Sequence, residues 1–146
     1  VTNAECKKQK SHEGSQADVA KVELVIIGDR VEPDRITAAV GLRPSRAWKK
    51  GDKYYAARSD QQLERWRGLW AITCTSNAVA AAAAQLLLLV EPVSSQIVSA
   101  AGDWSATVGI SIWWEPAANQ GGFAVPSDTM MRLAKFGPEI NFYFPG

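Results

Sequence analysis

No stretch of this chain constrains its fold more than Trp104 to Trp114, where apolar and small or polar residues alternate without a break. Trp104, Ala106, Val108, Ile110, Ile112 and Trp114 share one side, and Ser105, Thr107, Gly109, Ser111 and Trp113 share the other. Successive side chains of a strand point to opposite faces. A strand with one apolar face meets a core on that side and water on the other, as antiparallel sheets do. The chain must therefore build a one-sided sheet and cover the apolar side with other elements.

The same period of two marks further strands. Lys21 to Ile27 places Val22, Leu24 and Ile26 on one face, and Leu69 to Thr75 does so with Trp70, Ile72 and Cys74. A short strand is expected near Lys53 to Ala57, another at Phe123 to Val125, and a last one carrying Ile140, Phe142 and Phe144, with Asn141 and Tyr143 outward. Helices fill the intervals. Pro33 suits a first helical turn, Ile36, Ala39 and Val40 make its apolar stripe, and Gly41 suits the left-handed position that ends a helix. An alanine- and leucine-rich helix runs from about residue 78 to Val90, with Thr75, Ser76 or Asn77 as expected cap, and a shorter one runs from about Ser95 to Ala101. Ser127 is expected to cap a helix bearing Met130, Leu133 and Ala134, which Gly137-Pro138 ends; Asn119 to Gly122 reads as a turn. The expected fold is α+β, a single mixed, mostly antiparallel sheet with helices packed on one face. Residues 1–19 are polar and aperiodic and read as a disordered tail, leaving 20–146 as one domain.

Several chemistries find no support. His12 is the only histidine, and it falls in the tail, so the body has no partner for a histidine-activated nucleophile. Cys74 stands on an inward face, and no zinc spacing or phosphate-loop pattern occurs. No spacing selects two of the scattered carboxylates as a catalytic pair. The expectation is a non-enzymatic protein with no cofactor and no metal. Neither Cys6 nor Cys74, weighed alone, reads as half of a bridge, which favours a reducing, cytoplasmic setting. The most apolar run, Ala78 to Val90, is too short to cross a bilayer, so no membrane partner is expected.

Charge is placed unevenly. The whole chain carries +1, yet the eight basic and three acidic residues from Arg43 to Arg67 give that segment +5. Trp48, Tyr54, Tyr55 and Trp66 are interleaved with the cations. Tryptophan, tyrosine and arginine dominate interface hot spots. Arg43, Arg46, Trp48, Lys49, Lys50, Tyr54 and Tyr55 are thus the candidate contacts for a protein partner. Trp113, on the polar side of its strand, joins them. The same groups could instead stack on and neutralise single-stranded nucleic acid.

The stretch LVIIGDRVEPDRITAAVGLRPSRAWKKGD, residues 24–52, resembles the opening of the bacterial family known as domain of unknown function 4279. Gly28, Pro33, Ile36, Thr37, Gly41, Pro44, Lys50 and Gly51 carry the likeness. GLWAI at Gly68–Ile72 is similar to the family's next strand, and residues 121–144 to its closing strand, helix and strand. The resemblance implies one α+β domain of bacterial, cytoplasmic origin and brings no catalytic residue. The absent chemistry and the basic, aromatic segment lead to a protein-binding module, with an immunity protein that neutralises a toxin as the leading expectation and single-strand nucleic-acid binding as the alternative.

Overall fold

The computed structural model describes residues 18–117 and 121–144. Residues 1–17 of the expected tail, with His12 and Cys6, and the start of the expected turn at Asn119 lie outside them. Val19 already opens a strand, so the folded part begins earlier than residue 20.

Five strands form one sheet in the order β2-β5-β1-β6-β7. The central strand β1 (Val19–Gly28) lies antiparallel between β5 (Gly68–Ser76) and β6 (Thr107–Glu115). The edges are β2 (Arg46–Trp48), antiparallel to β5, and β7 (Ile140–Tyr143), parallel to β6. A separate two-stranded ribbon, β3 (Lys53–Tyr55) with β4 (Gln62–Glu64), stands between β2 and β5 in the chain. The sheet is mixed and mostly antiparallel, as the alternation predicts.

The apolar faces expected to turn inward do so on β1, β5 and β6; on the last strand only Ile140 is half-buried, and Phe142 and Phe144 are exposed, at 43% and 62%. Val22, Leu24, Ile26, Trp70, Ile72, Cys74, Val108, Ile110, Ile112 and Trp114 are buried in one cluster. The helices α1 (Pro33–Val40), α2 (Val79–Val90), α3 (Ser94–Asp103) and α4 (Ser127–Ala134) supply the remainder, with Ile36, Leu86, Leu87, Ile97 and Leu133 fully buried. Trp70 is the largest buried side chain, and its Nε1–H donates to Thr37 Oγ1 at 3.0 Å, tying α1 to β5. Gly41 takes φ 80°, and its N–H closes onto the Thr37 carbonyl. Arg132 of α4 makes a bidentate ion pair with Glu91, which holds that carboxyl below its usual range.

The structure departs from the expectations at several local points. Trp104 closes α3 and Ser105 takes φ 50°, so the strand starts at Thr107 and not at Trp104. Ala78 and Pro126 precede α2 and α4 without side-chain caps, in place of the polar residues expected there. Phe123–Val125 is irregular, and Ala39 is exposed. The basic loop at Arg43–Gly51 contains the edge strand β2, and β4 had no sequence signal at all. Helical geometry continues through a 3₁₀ turn at Glu91–Val93, so Val79–Asp103 is long and apolar enough, by length and composition, to cross a bilayer. The residues it buries here are the ones that pack on the sheet. Cys74 is disulfide-bonded, and the chain's other cysteine, Cys6, lies outside the described residues. The free-thiol expectation is corrected, and with it goes the thiol argument for a reducing compartment.

One polar atom in the helical layer is left over. Gln85 Oε1 is buried with no hydrogen-bond partner among the described residues. An unpaired buried acceptor costs about 1–3 kcal/mol. Gln85→Met, which keeps the length and removes the acceptor, should raise stability by about 1 kcal/mol in urea denaturation; an unchanged midpoint would show that the amide is satisfied in solution.

Candidate functional site

The helices all lie against one side of the sheet. The other side is built from the odd-numbered residues of β1, β5, β6 and β7 with Arg46 and Trp48 of β2; Glu23, Leu69 and Ala71 on it are buried, while Lys21, Trp113 and Tyr143 are exposed. Register sets its rows. One row runs Tyr143, Trp113, Lys21, Thr75, and the next runs Asn141, Ser111, Glu23, Thr73. Two features that lie far apart in sequence, the basic segment and Trp113, therefore reach the same face from opposite edges.

At the centre of that face sits Glu23, only 4% exposed. Arg46 reaches across β5 to it, with Nε donating to Oε2 at 2.9 Å and Nη2 to Oε1 at 2.5 Å. Thr73 Oγ1 donates to Oε2 at 2.6 Å, and the Thr73 N–H donates to Ser45 Oγ at 2.9 Å. The fork geometry matches carboxylate, which makes this the strong class of hydrogen bond.

From Arg46 outward the groups interleave. The Arg46 guanidinium lies 5.5 Å from the Trp48 ring, and the Arg65 guanidinium lies 3.8 Å from that ring and 3.7 Å from the Tyr54 ring. Trp48 Nε1–H donates to the Arg67 carbonyl at 3.0 Å, which fixes the indole. Arg65 itself is pinned by its backbone: its N–H donates to Asp52 O at 2.8 Å and its carbonyl accepts from Gly51 N–H at 2.7 Å. The result is a rigid line, Tyr54, Arg65, Trp48, Arg46, ending on the buried Glu23. Stacking of a guanidinium on an aromatic face is worth about 0.5–2 kcal/mol per contact.

At the other edge Trp113 and Tyr143 stack on each other, with ring centroids 4.2 Å apart and planes 15° from parallel. They are 37% and 41% exposed. On the reverse side of β7, Phe123, Phe142, Phe144 and Trp114 form a second aromatic group.

The remaining candidate residues are placed differently. Lys49 pairs with Glu32 at 2.8 Å, and that hydrogen bond is the main cause of its raised pKa. Lys50 and Arg67 both lie near Asp29, at 3.5 and 3.7 Å. Counting Glu23, Asp29 and Glu32 with the basic segment lowers its charge from +5 to +2. Arg43 and Tyr55 are exposed, Tyr55 at 68%. Of the eight candidates the sheet thus gathers Arg46, Trp48, Tyr54 and, at the far edge, Trp113. It leaves Lys49 and Lys50 in a neutralised turn.

Glu23, Arg65, Lys21 and Tyr143 belong to the face and were not among the candidates. Tyr143 had a signal in its outward parity. Glu23 had none, because alternation shows only that it leaves the core, not that Arg46 will cover it. Among the described residues no group of three or more His, Cys, Asp or Glu is placed to hold a metal ion.

An α+β domain with one helix-covered and one open sheet face is the class that this geometry defines. The chain belongs to the family described as "Domain of unknown function (DUF4279)", whose sequence profile matches residues 18–144. No curated protein and no solved structure matches it.

Proposed function

We propose that this chain is a non-enzymatic protein-binding module, of the kind an immunity protein provides when it neutralises a toxin, and that the open face of its sheet is the binding surface. One observation carries the reading: that face presents tryptophan, tyrosine and arginine side chains already held by their neighbours. Such groups lose little freedom on binding, and they are the residue types that dominate interface energetics. Trp48, Tyr54 and Trp113 supply the aromatic anchors, with Tyr143 beside Trp113, and Arg43 and Tyr55 are exposed. Arg46 serves the reading indirectly, by holding Glu23 and flanking Trp48.

The charge placement favours protein over single-stranded nucleic acid. Arg46, Lys49, Lys50 and Arg67 each have a carboxylate within 4.0 Å. That removes half of the segment's eight cations from the replacement of phosphate counterions, which supplies most of such binding. With Cys74 bonded, the reading carries no requirement for a reducing cytoplasm.

The test pairs the wild-type chain with a Trp113→Ala/Tyr143→Ala variant as bait in lysate of the source cells. Any captured protein is then purified and titrated against both by calorimetry. We expect its affinity for the variant to fall about tenfold or more, which is about 1.4 kcal/mol, with the circular dichroism unchanged. Equal affinity would remove the open face from the reading. Retention of nucleic acid alone, released as salt rises from about 50 to 200 mM, would replace the protein reading with the other one.

A further inference from the structure

The most unusual group on the open face is Arg65. Its guanidinium is clamped between Trp48 and Tyr54, at 3.8 and 3.7 Å from the two rings. Both flat faces are therefore occupied, and only the edge with its N–H donors is available. No described residue accepts a hydrogen bond from that edge, and no described carboxylate lies within 4.0 Å of it. Arg46 and Arg67, its neighbours, both reach carboxylates. Arg43 and Arg58 are exposed and have no such clamp.

We propose that the Trp48–Arg65–Tyr54 slot is a carboxylate-anchoring site, which takes an aspartate or glutamate side chain of an acidic segment on the protein partner. The proposal rests on the protein-binding reading above and names the chemistry of that partner. A guanidinium fork matches a planar carboxylate with two parallel hydrogen bonds. Held rigid by two rings and by its own backbone bonds, Arg65 loses little side-chain freedom when it makes them. Carboxylate is preferred to phosphate because a phosphate chain needs several free cations in a row. Here Arg46, Lys49, Lys50 and Arg67 are already paired with carboxylates of the chain, and Arg43, Lys53 and Arg58 are exposed with no ring clamp.

The experiment follows the Nε–H resonance of Arg65 in the full, ¹⁵N-labelled chain. Three probes are titrated: hexaglutamate, free glutamate and inorganic phosphate. Hexaglutamate should shift the resonance saturably, and free glutamate should need about tenfold more to do so. Arg65→Lys keeps the charge but loses the fork and the stacking, and should weaken hexaglutamate binding about fivefold or more. Arg58→Ala should change it less than about twofold. If Arg65→Lys does not fold, Tyr54→Leu opens one side of the slot and should weaken binding about threefold.

A resonance that hexaglutamate leaves unmoved, or a lysine variant that binds as well as wild type, overturns the proposal. Saturation by phosphate at lower concentration than by the peptide also overturns it. The two readings fail separately. A captured partner that is lost with Trp113→Ala/Tyr143→Ala but bound equally by Arg65→Lys removes only the anchor. Saturation of Arg65 by hexaglutamate with no protein captured removes only the binding-module reading.

Discussion

Arg46→Glu is expected to destabilise the domain itself, before any question of binding arises. The substitution takes two hydrogen bonds away from Glu23 and sets a second carboxylate against it. Glu23 is 4% exposed, so it cannot recover the loss from water. Breaking a buried ion pair by removing one partner costs about 3–5 kcal/mol. Arg46 is half exposed, so a cost of about 2–4 kcal/mol is the expected result in chemical denaturation, a large part of a domain's usual total. Replacing both partners with apolar residues, Glu23→Leu/Arg46→Met, should restore most of it, because the buried charge is then gone. If Arg46→Glu unfolds at the wild-type midpoint, Glu23 is solvated in solution and the centre of the face is not built as described. Reversing Arg46, Lys49 and Lys50 together, which the sequence alone suggests as a binding test, would confound loss of partner with loss of fold.

Gly137→Ala is expected to have a comparable effect at the opposite edge. A Cβ at Gly137 would lie 2.0 Å from the Val108 carbonyl oxygen and 2.8 Å from its carbon. Both atoms are backbone of β6, so no side chain can rotate away to make room. The connection from α4 would have to lift off the sheet, and it leads directly into β7. The parallel pairing of Ile110–Trp113 with Ile140–Tyr143 would go with it, and with that the Trp113–Tyr143 stack. Overpacking costs about 1–3 kcal/mol where side chains can yield. Here about 3 kcal/mol or more is expected, read as a lowered denaturation midpoint and faster amide exchange in β7. Gly102→Ala is the control. It lies in the last turn of α3 with nothing within 4 Å of the added carbon, and should be neutral or stabilising by about 0.5–1 kcal/mol. A Gly137→Ala protein as stable as wild type would mean that the α4–β7 connection runs farther from β6.

How far the sequence reached depended on whether a feature is local. Strand parity is local, so Val22, Leu24 and Ile26 were placed correctly, and so were Val108, Ile110 and Ile112. Pro33 and Gly41 mark α1 because their constraints act on their own φ angles. The edge strand β2 was missed because three residues, Arg46–Trp48, are too few to show a period, and they become a strand only by pairing with β5. Trp104–Ala106 fitted the alternation perfectly, yet the end of α3 claims Trp104 through a bond to the Ala100 carbonyl. The candidate surface was half readable. Composition pointed to Arg46, Trp48, Tyr54 and Trp113, but also to Lys49 and Lys50, whose charges are answered by Glu32 and Asp29 from a neighbouring turn.

Alternation along Trp104 to Trp114 by itself determined that this chain builds a one-sided sheet, since the period of two is a property of each extended residue. What lies on the uncovered side was decided only by tertiary structure. Glu23 meets Arg46 because β5 separates β1 from β2 in a particular register. Arg65 meets Trp48 and Tyr54 because the ribbon folds back beside the sheet edge. Gly137 must lack a side chain because α4 delivers the chain within contact of Val108. Each is a contact between residues distant along the chain, and only the packed sheet brings them within reach.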